Sequence, residues 1–287
     1  MRVSVGDVRL FFEVSGAEWL LGQDGMRRRP VLIGLHGGPG LDGTKMRYQL
    51  ASLADTMQVV VPDQRGHGRS DLSTSDSWNL ATWAMDVRGL SDALEIEHPV
   101  VLGSSFGGFV AQQYAASQPD HPAGLILAST CPRLPTPEEL IERFRKIGGD
   151  EAADVVRRNS EAPTTETKAE WMRVCGPLLS LKHDPDPLVA SLDSVRIQTM
   201  DVNLHFFEHE GNTMDLRPAL RNVRCPTLVL VGEHDPLTPV HLCEEILAAV
   251  PGGLARLEVI PDAAHDLATD SPEHTYRSIR QFIADLA

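Results

Sequence analysis

The chain contains a serine whose surroundings suit a catalytic nucleophile. Ser105 lies at the centre of Gly103-Ser104-Ser105-Phe106-Gly107, between an apolar run and an amphipathic one. Those runs predict a strand and a helix, joined by a turn so tight that it needs glycines beside the serine. A serine hydroxyl is a weak nucleophile until a base takes its proton and a carboxylate orients that base. The rest of the chain must therefore supply a histidine and an acid.

Two later turns hold an aspartate and a histidine in equivalent positions. Asp235 comes after the apolar run 228–231, and His265 comes after the apolar run 257–260. Both fall at the carboxyl ends of predicted parallel strands, where the active sites of open sheets lie. We therefore predict Ser105 as the nucleophile, His265 as the general base and Asp235 as the acid that orients it.

Other residues compete for the acid and base positions. His265 is one of 11 histidines, and it stands out because two alanines precede it at the end of a predicted strand. Pro236, directly after Asp235, favours a turn that would hold the carboxylate. The alternative acids near these turns are Glu233, Asp262 and Asp266.

A glycine-rich run follows the apolar segment 31–35. It reads His36-Gly37-Gly38-Pro39-Gly40, and its small residues would let backbone amides approach a substrate oxygen. Acyl transfer needs such donors for the negative oxygen of its transition state. We predict the amides of Gly38 and Phe106 as the oxyanion hole, and a glycine turn without chemistry is the alternative. The lysine that a phosphate-binding loop requires does not follow this run.

Predicted strands alternate with helices along most of the chain. Buried or half-buried strands are expected at 8–14, 31–35, 59–61, 99–102, 124–128, 227–231 and 257–260, and a helix is expected at 80–96. Parallel neighbours need a crossover helix between them. The alternation therefore predicts an α/β fold with a mostly parallel, doubly wound sheet.

The alternation stops between residues 132 and 216. Seven prolines and several helical patterns occupy this stretch, which has no buried strand run. Because it is too long for a plain loop, we expect a helical cap at 132–216, inserted after the sixth strand. Residues 1–131 and 217–287 would then form one core domain. A separate domain with its own role is the alternative, but the return to the parent sheet at 227 favours an insertion.

Composition limits the class of protein and of partner. The 287 residues are 42% hydrophobic and 23% charged, as expected of one large α/β domain. The formal charge of −14 argues against nucleic acid and anionic membranes, so a small-molecule partner is expected. No signal-peptide pattern or membrane-length apolar run is found, so we expect a cytoplasmic protein. Whether it forms a homo-oligomer stays open.

The cysteines do not suggest a metal centre or disulfides. The chain has four of them, and none forms a C-x-x-C pair. This scatter is more typical of reduced thiols in a cytosolic protein. We expect neither a metal nor an organic cofactor, because no group of ligands has suitable spacing.

Several motifs together resemble those of the α/β-hydrolase superfamily, and within it those of the proline iminopeptidases. They are the run 36–40, the stretch Asp63-Gln64-Arg65-Gly66-His67-Gly68-Arg69-Ser70, the turn 103–108, and the turns of Asp235 and His265. The resemblance covers about residues 8–131 and 217–287, and the order of nucleophile, acid and base is that of the superfamily. It implies that Arg65 supports the turn 36–40. A solvent-facing arginine is the alternative.

The predicted cap departs from the family pattern. Proline iminopeptidases resemble one another in cap glutamates that bind the free amine of the substrate, one of them in an E-N-H-Y-F-like run. In this chain Asn203 stands at the place of that glutamate, in Asn203-Leu204-His205-Phe206-Phe207. Glu208 and Glu210 lie close by and are alternative amine ligands. All three are candidate substrate-binding residues.

The residues together predict a serine hydrolase that cleaves a small carboxylic ester or amide through an acyl-enzyme. The alternatives are a proline iminopeptidase proper, a carbon–carbon bond hydrolase or acyltransferase on the same fold, and a non-catalytic ligand receptor. Epoxide hydrolases and haloalkane dehalogenases are disfavoured, because they have an aspartate where this chain has Ser105.

Overall fold

A computed structural model describes residues 1–22, 25–182 and 197–286. The strands are β1 (Arg2–Val5), β2 (Val8–Ser15), β3 (Trp19–Gly22), β4 (Gly25–Arg28), β5 (Val31–Leu35), β6 (Gln58–Pro62), β7 (Val100–Ser104), β8 (Gly124–Ala128), β9 (Thr227–Gly232) and β10 (Ala255–Ile260). Eight of them form one sheet in the order β1-β2-β6-β5-β7-β8-β9-β10, and β3 pairs with β4.

The sheet is parallel except at one edge. Strands β6, β5, β7, β8, β9 and β10 pair in parallel, whereas β1 and β2 run antiparallel to their neighbours. The central strands are apolar and buried on both faces, as is typical of a parallel sheet covered by helices on each side. The predicted mostly parallel, doubly wound sheet is confirmed.

Helices cover both faces of the sheet. They are α1 (Thr44–Leu50), α2 (Leu80–Ala93), α3 (Phe106–Ser117), α4 (Pro137–Glu161), α5 (Thr165–Val174), α6 (Met200–Phe206), α7 (Arg217–Leu220), α8 (Val240–Ala249), α9 (Leu267–Asp270) and α10 (Pro272–Asp285). Successive residues of β5 show the two layers, because Ile33 belongs to the apolar cluster that contains residues of α2, α3 and α8, while Leu32 belongs to the cluster that contains residues of α1 and α10. This alternation follows from the pleat of a strand.

Helix α2 begins and ends for local reasons. The Asn79 side chain accepts a hydrogen bond from the Thr82 amide at 2.9 Å, so it caps the first turn. The helix ends at Ala93, three residues before the predicted end at Ile96. Glu95 has a φ of 56°, a left-handed conformation that a helix cannot continue through.

A mostly helical stretch separates two neighbouring strands of the sheet. Strand β8, the sixth of the main sheet along the chain, is followed by α4 to α7 before the chain returns at β9. At the two ends of the predicted insertion, the Leu216 amide donates to the Pro132 carbonyl at 2.8 Å. Helices α4 and α5 enclose an apolar cluster of their own around Phe144 and Val156. Within the described ranges, no helix is both long and apolar enough to cross a membrane.

Candidate active site

Ser105 occupies a sharp turn between β7 and α3. Its φ of 53° and ψ of −118° are rare for a residue with a side chain, and this strain is typical of a nucleophile turn. The crossing of strand and helix leaves no room for larger residues. A Cβ at Gly103 would lie 2.3 Å from the Gly107 carbonyl oxygen, and a Cβ at Gly107 would lie 2.0 Å from that of Leu35. The sequence therefore needs glycine on both sides of the serine.

Asp235 and His265 follow the adjacent strands β9 and β10. The Nδ1 of His265 lies 2.8 Å from the Oδ2 of Asp235. The same Oδ2 accepts from the Thr238 hydroxyl at 2.6 Å, and Oδ1 accepts from the Leu237 and Thr238 amides at 2.8 and 2.9 Å. The carboxylate is thus held on both oxygens by its own turn. Ser129, after β8, donates to the His265 carbonyl at 2.7 Å.

The electrostatics of this pair favour an ionised acid and a basic histidine. Burial by itself would raise the pKa of Asp235, but attraction to His265 and hydrogen bonds from His265 and Thr238 outweigh it and hold the pKa below its usual value. Burial would likewise lower the pKa of His265, but the Asp235 charge outweighs it and raises the pKa. When the ring is neutral, Nδ1–H donates to Asp235, which leaves Nε2 as the proton acceptor.

The competing acids occupy other environments. Asp266 accepts hydrogen bonds from Lys45 and Gln49, at 2.5 and 2.9 Å. Glu233 and Asp262 are exposed to solvent. Of the four acids that the sequence offered, Asp235 alone has a hydrogen bond to His265 within the described part of the chain.

The run 36–40 lies against the serine turn. A Cβ on Gly37 would come within 3.4 Å of the Ser105 Cβ, so this glycine-rich loop passes directly beside the nucleophile candidate. On the other side of Ser105, Phe106 is the first residue of α3. The N–H of a first helical residue has no partner within its own helix. The two predicted oxyanion donors, Gly38 and Phe106, therefore belong to segments that flank the serine.

A family model for the alpha/beta hydrolase fold matches residues 30–272. The chain belongs to the α/β-hydrolase family. The predicted family and the predicted α/β-hydrolase fold are therefore confirmed, and the strand, turn and helix around Ser105 form part of the matched region.

The relatives of this α/β-hydrolase carry several different names. A proline iminopeptidase of Pestalotiopsis fici is 25% identical over 281 residues, which cover 95% of this chain and 98% of the relative. The solved proline iminopeptidase-related protein of Thermus thermophilus is 26% identical, with a TM-score of 0.74 over 100% of this chain and 97% of that one. A thermophilic esterase of Thermogutta terrifontis is also 26% identical, with a TM-score of 0.71 over 100% and 99%. The chain is thus a hydrolase that is similar over nearly its whole length to proline iminopeptidases and to an esterase.

The prediction for Arg65 is wrong in this α/β-hydrolase. Its guanidinium is buried and bonds to Asp86 at 2.7 and 2.8 Å, and to Asp7 at 2.9 Å. It is neither a support of the glycine-rich loop nor a solvent-facing side chain. Gln64 supports the loop instead. Its side-chain Nε2 donates to the His36 carbonyl at 3.0 Å, and its backbone amide donates to the His36 ring Nε2 at 3.2 Å. A buried charge is costly unless it is paired, and the two aspartates provide that pairing.

The three candidate substrate-binding residues lie in three different settings. Asn203, on α6, donates from Nδ2 to the Pro39 carbonyl at 2.9 Å, so it contacts the glycine-rich loop itself. Glu210 accepts a hydrogen bond from the Leu80 amide at 2.9 Å, where it caps the start of α2. Glu208 is exposed. The structure therefore gives Glu210 a structural partner and brings only Asn203 into contact with the loop beside Ser105.

Sequence reasoning missed two residues that shape this site. Thr238 holds both oxygens of Asp235, and an Asp followed three residues later by Thr was the available signal for such a turn. Phe206 packs edge-on against Phe106 with ring centroids 5.3 Å apart. The local sequence around either residue does not predict this contact. Among the side chains of the described ranges, no group of three or more His, Cys, Asp or Glu residues could hold a metal ion.

Proposed function

We propose that this hydrolase is a serine hydrolase that cleaves a small carboxylic ester or amide through an acyl-enzyme. The proposal rests on the buried Asp235–His265 pair, whose atoms lie 2.8 Å apart. This pair and the strained Ser105 turn both lie at the carboxyl ends of parallel strands. Burying two charged groups is costly unless their mutual attraction and further hydrogen bonds offset the loss of water. Perturbed acid and base groups at the ends of adjacent strands are typical of catalytic sites.

The proposed reaction has two balanced halves. The Ser105 hydroxyl attacks the substrate carbonyl carbon while His265 Nε2 takes its proton, and the resulting oxyanion accepts hydrogen bonds from the amides of Gly38 and Phe106. Collapse expels the leaving group, which receives the proton from His265. Water then attacks the acyl-enzyme, His265 takes a proton from it, and the carboxylic acid leaves as Ser105 regains its hydrogen.

Asn203 and Glu210 make an ester at least as suitable a substrate as a peptide with a free amine. The amide of Asn203 carries no charge, and Glu210 is already bonded to the start of α2. A free ammonium group would need a carboxylate, which neither contact offers. The second candidate function is that of a proline iminopeptidase, favoured by the relative of that name that aligns over 95% of this chain.

The partner and location follow the same proposal. We infer a small-molecule ester or amide as the only partner that the reaction requires, with water as the second substrate. A cytoplasmic location is supported by the cysteines, since all four are free thiols and buried. We propose 132–216 as the cap that covers the site, because α4 to α6 lie within it.

A substrate panel with a matched pair of serine variants tests the proposal. Short-chain p-nitrophenyl esters are compared with prolyl and other aminoacyl p-nitroanilides, using Ser105→Ala and its neighbour Ser104→Ala. Ester hydrolysis is expected to fall roughly 10⁶-fold in Ser105→Ala and to persist in Ser104→Ala. Turnover that survives Ser105→Ala would overturn the mechanism. Prolyl amide cleavage well above ester cleavage would instead select the proline iminopeptidase function.

A further inference from the structure

The glycine-rich loop beside Ser105 is bonded to the segment that leads into α6. Three contacts join the two: the Thr199 amide donates to the Gly40 carbonyl at 2.8 Å, Leu41 and Gln198 form an antiparallel bridge, and the Ile197 amide donates to the Asp42 carboxylate at 3.0 Å. The loop therefore does not stand alone at the edge of the sheet. Residues 197–199 of the predicted cap hold it through one isolated bridge and two hydrogen bonds.

Asn203 adds a side-chain contact to these backbone contacts. Its Nδ2 donates to the Pro39 carbonyl at 2.9 Å, one residue after the predicted oxyanion donor Gly38. The approach is close, because a Cβ on Gly40 would lie 3.2 Å from the Asn203 Cβ and 2.9 Å from the Thr199 carbonyl oxygen. Asn203 thus fixes the loop at the point where its backbone turns beside the serine.

The donor half of the Asn203 amide is the half that contacts the loop. The Oδ1 of Asn203 is buried and has no hydrogen-bond partner among the described residues. A buried acceptor without a partner is unfavourable, so the useful group of this side chain is its N–H donor. A carboxylate in the same place would set two acceptors against each other, its own oxygen and that of Pro39.

Helix α6 also touches the second predicted oxyanion donor. One turn after Asn203, the Phe206 ring packs edge-on against Phe106, with centroids 5.3 Å apart and an interplanar angle of 76°. The Phe206 side chain is fully buried, so the contact lies inside the packed core. A single helix therefore contacts both segments from which the oxyanion would receive hydrogen bonds.

We propose that Asn203 is a positioning residue of the oxyanion hole and does not bind the substrate. The inference rests on the proposed serine-hydrolase function and deepens it. Through Pro39, Asn203 would hold the Gly38 amide where the negative oxygen of the tetrahedral intermediate develops. Because that oxygen carries its charge only near the transition state, the contribution belongs to kcat and not to substrate binding.

The test compares two substitutions of Asn203 with a control on the same helix. Asn203→Asp keeps the size of the side chain and removes the donor, whereas Asn203→Ala removes the whole amide. Asp201→Ala is the control, because Asp201 is exposed on α6. Values of kcat and KM are measured with a p-nitrophenyl ester, together with the inhibition constant of a trifluoromethyl ketone, which forms a tetrahedral oxyanion on the serine.

A positioning role predicts a specific pattern in these measurements. Both Asn203 variants should lose about 10- to 100-fold in kcat with KM within about twofold, and the trifluoromethyl ketone should bind more weakly by a similar factor. Asp201→Ala should match the parent in all three values. Thermal unfolding and circular dichroism identify a misfolded variant, and the near-isosteric Asn203→Asp then carries the comparison.

Two other patterns would overturn the proposal. A higher KM with unchanged kcat and unchanged ketone affinity in Asn203→Asp would assign Asn203 to substrate binding. Parent-like kcat in both variants would show that the loop needs no support from this side chain. A failure of the proposed function looks different, because the parent protein itself would then lack Ser105-dependent ester hydrolysis.

Discussion

Replacing Asp235 by asparagine tests how much the buried pair of Asp235 and His265 contributes to catalysis. The amide nitrogen would face the His265 Nδ1, now 2.8 Å from a carboxylate oxygen. An N–H in that place donates to Nδ1 and moves the imidazole proton to Nε2, where the serine proton must be accepted. The imidazolium that forms during the reaction also loses its counter-charge. Two unit charges 2.8 Å apart attract by about 6 kcal/mol at an effective dielectric constant of about 20.

That attraction sets the size of the expected effect. At about 1.4 kcal/mol for each tenfold change in rate, it corresponds to a loss of about 10⁴-fold in kcat for Asp235→Asn, similar to that of other Ser-His-Asp enzymes. The pH profile should change as well. In the parent, kcat/KM should fall on the acid side of an apparent pKa above 6.5, because Asp235 raises the pKa of the base His265. In Asp235→Asn burial dominates, so this acid limb should move to lower pH.

The measurement is the pH dependence of ester hydrolysis in Asp235→Asn and in a matched control. Asp262→Asn makes the same chemical change in an exposed residue of the His265 turn, and it should retain parent activity and the parent pH profile. The account is refuted if Asp235→Asn keeps kcat within tenfold of the parent. Equal losses in the two variants would also refute it, because the effect would then belong to the turn and not to the pair.

Three further predictions concern stability. Arg65→Ala leaves Asp86 buried without its partner and should lower the free energy of unfolding by about 3–5 kcal/mol. The control Arg88→Ala breaks an exposed ion pair and should lower it by at most about 1 kcal/mol. Both values are measured by urea unfolding, and similar losses in the two variants would contradict this prediction. Burial lowers the pKa of His67 to about 3, so the folded state resists protonation of this ring. The free energy of unfolding should therefore fall by about 1.4 kcal/mol for each pH unit between about pH 6.5 and pH 4 as the pH decreases. His67→Gln should remove that part of the slope, and an unchanged slope would count against the assignment. Glu210→Ala should cost about 1 kcal/mol, because the Leu80 amide at the start of α2 loses its acceptor. KM should not rise, and a higher KM would return Glu210 to the substrate site.

Much of the fold could be predicted because the central strands have clear local patterns. Strands β5 and β8 begin and end at the predicted residues, 31–35 and 124–128, since both are apolar runs buried almost throughout. The first strand, Arg2–Val5, was not predicted. It pairs antiparallel at the sheet edge and three of its four residues are exposed or half-buried, so it has no continuous apolar run. The hairpin of β3 and β4 was not predicted either, because β4 is exposed along its whole length and has no alternation of buried and exposed residues.

The site residues that could be predicted are those that directly follow a strand. Asp235 and His265 each follow a strand of the parallel sheet, and the structure places those two strands side by side. The exchange of roles between Gln64 and Arg65 could not be predicted, because it depends on Asp86 approaching from a helix distant in sequence. The partner of Glu210 is likewise an amide 130 residues away along the chain.

Covalent labelling shows whether Ser105 is the nucleophile. The protein is treated with a fluorophosphonate, its intact mass is recorded, and the modified peptide is mapped by fragmentation, with Ser105→Ala and Ser104→Ala treated in parallel. We expect one adduct per chain on Ser105, its loss in Ser105→Ala and its retention in Ser104→Ala. A parent protein that takes up no label, or that carries the adduct on another residue, would contradict the proposed serine mechanism.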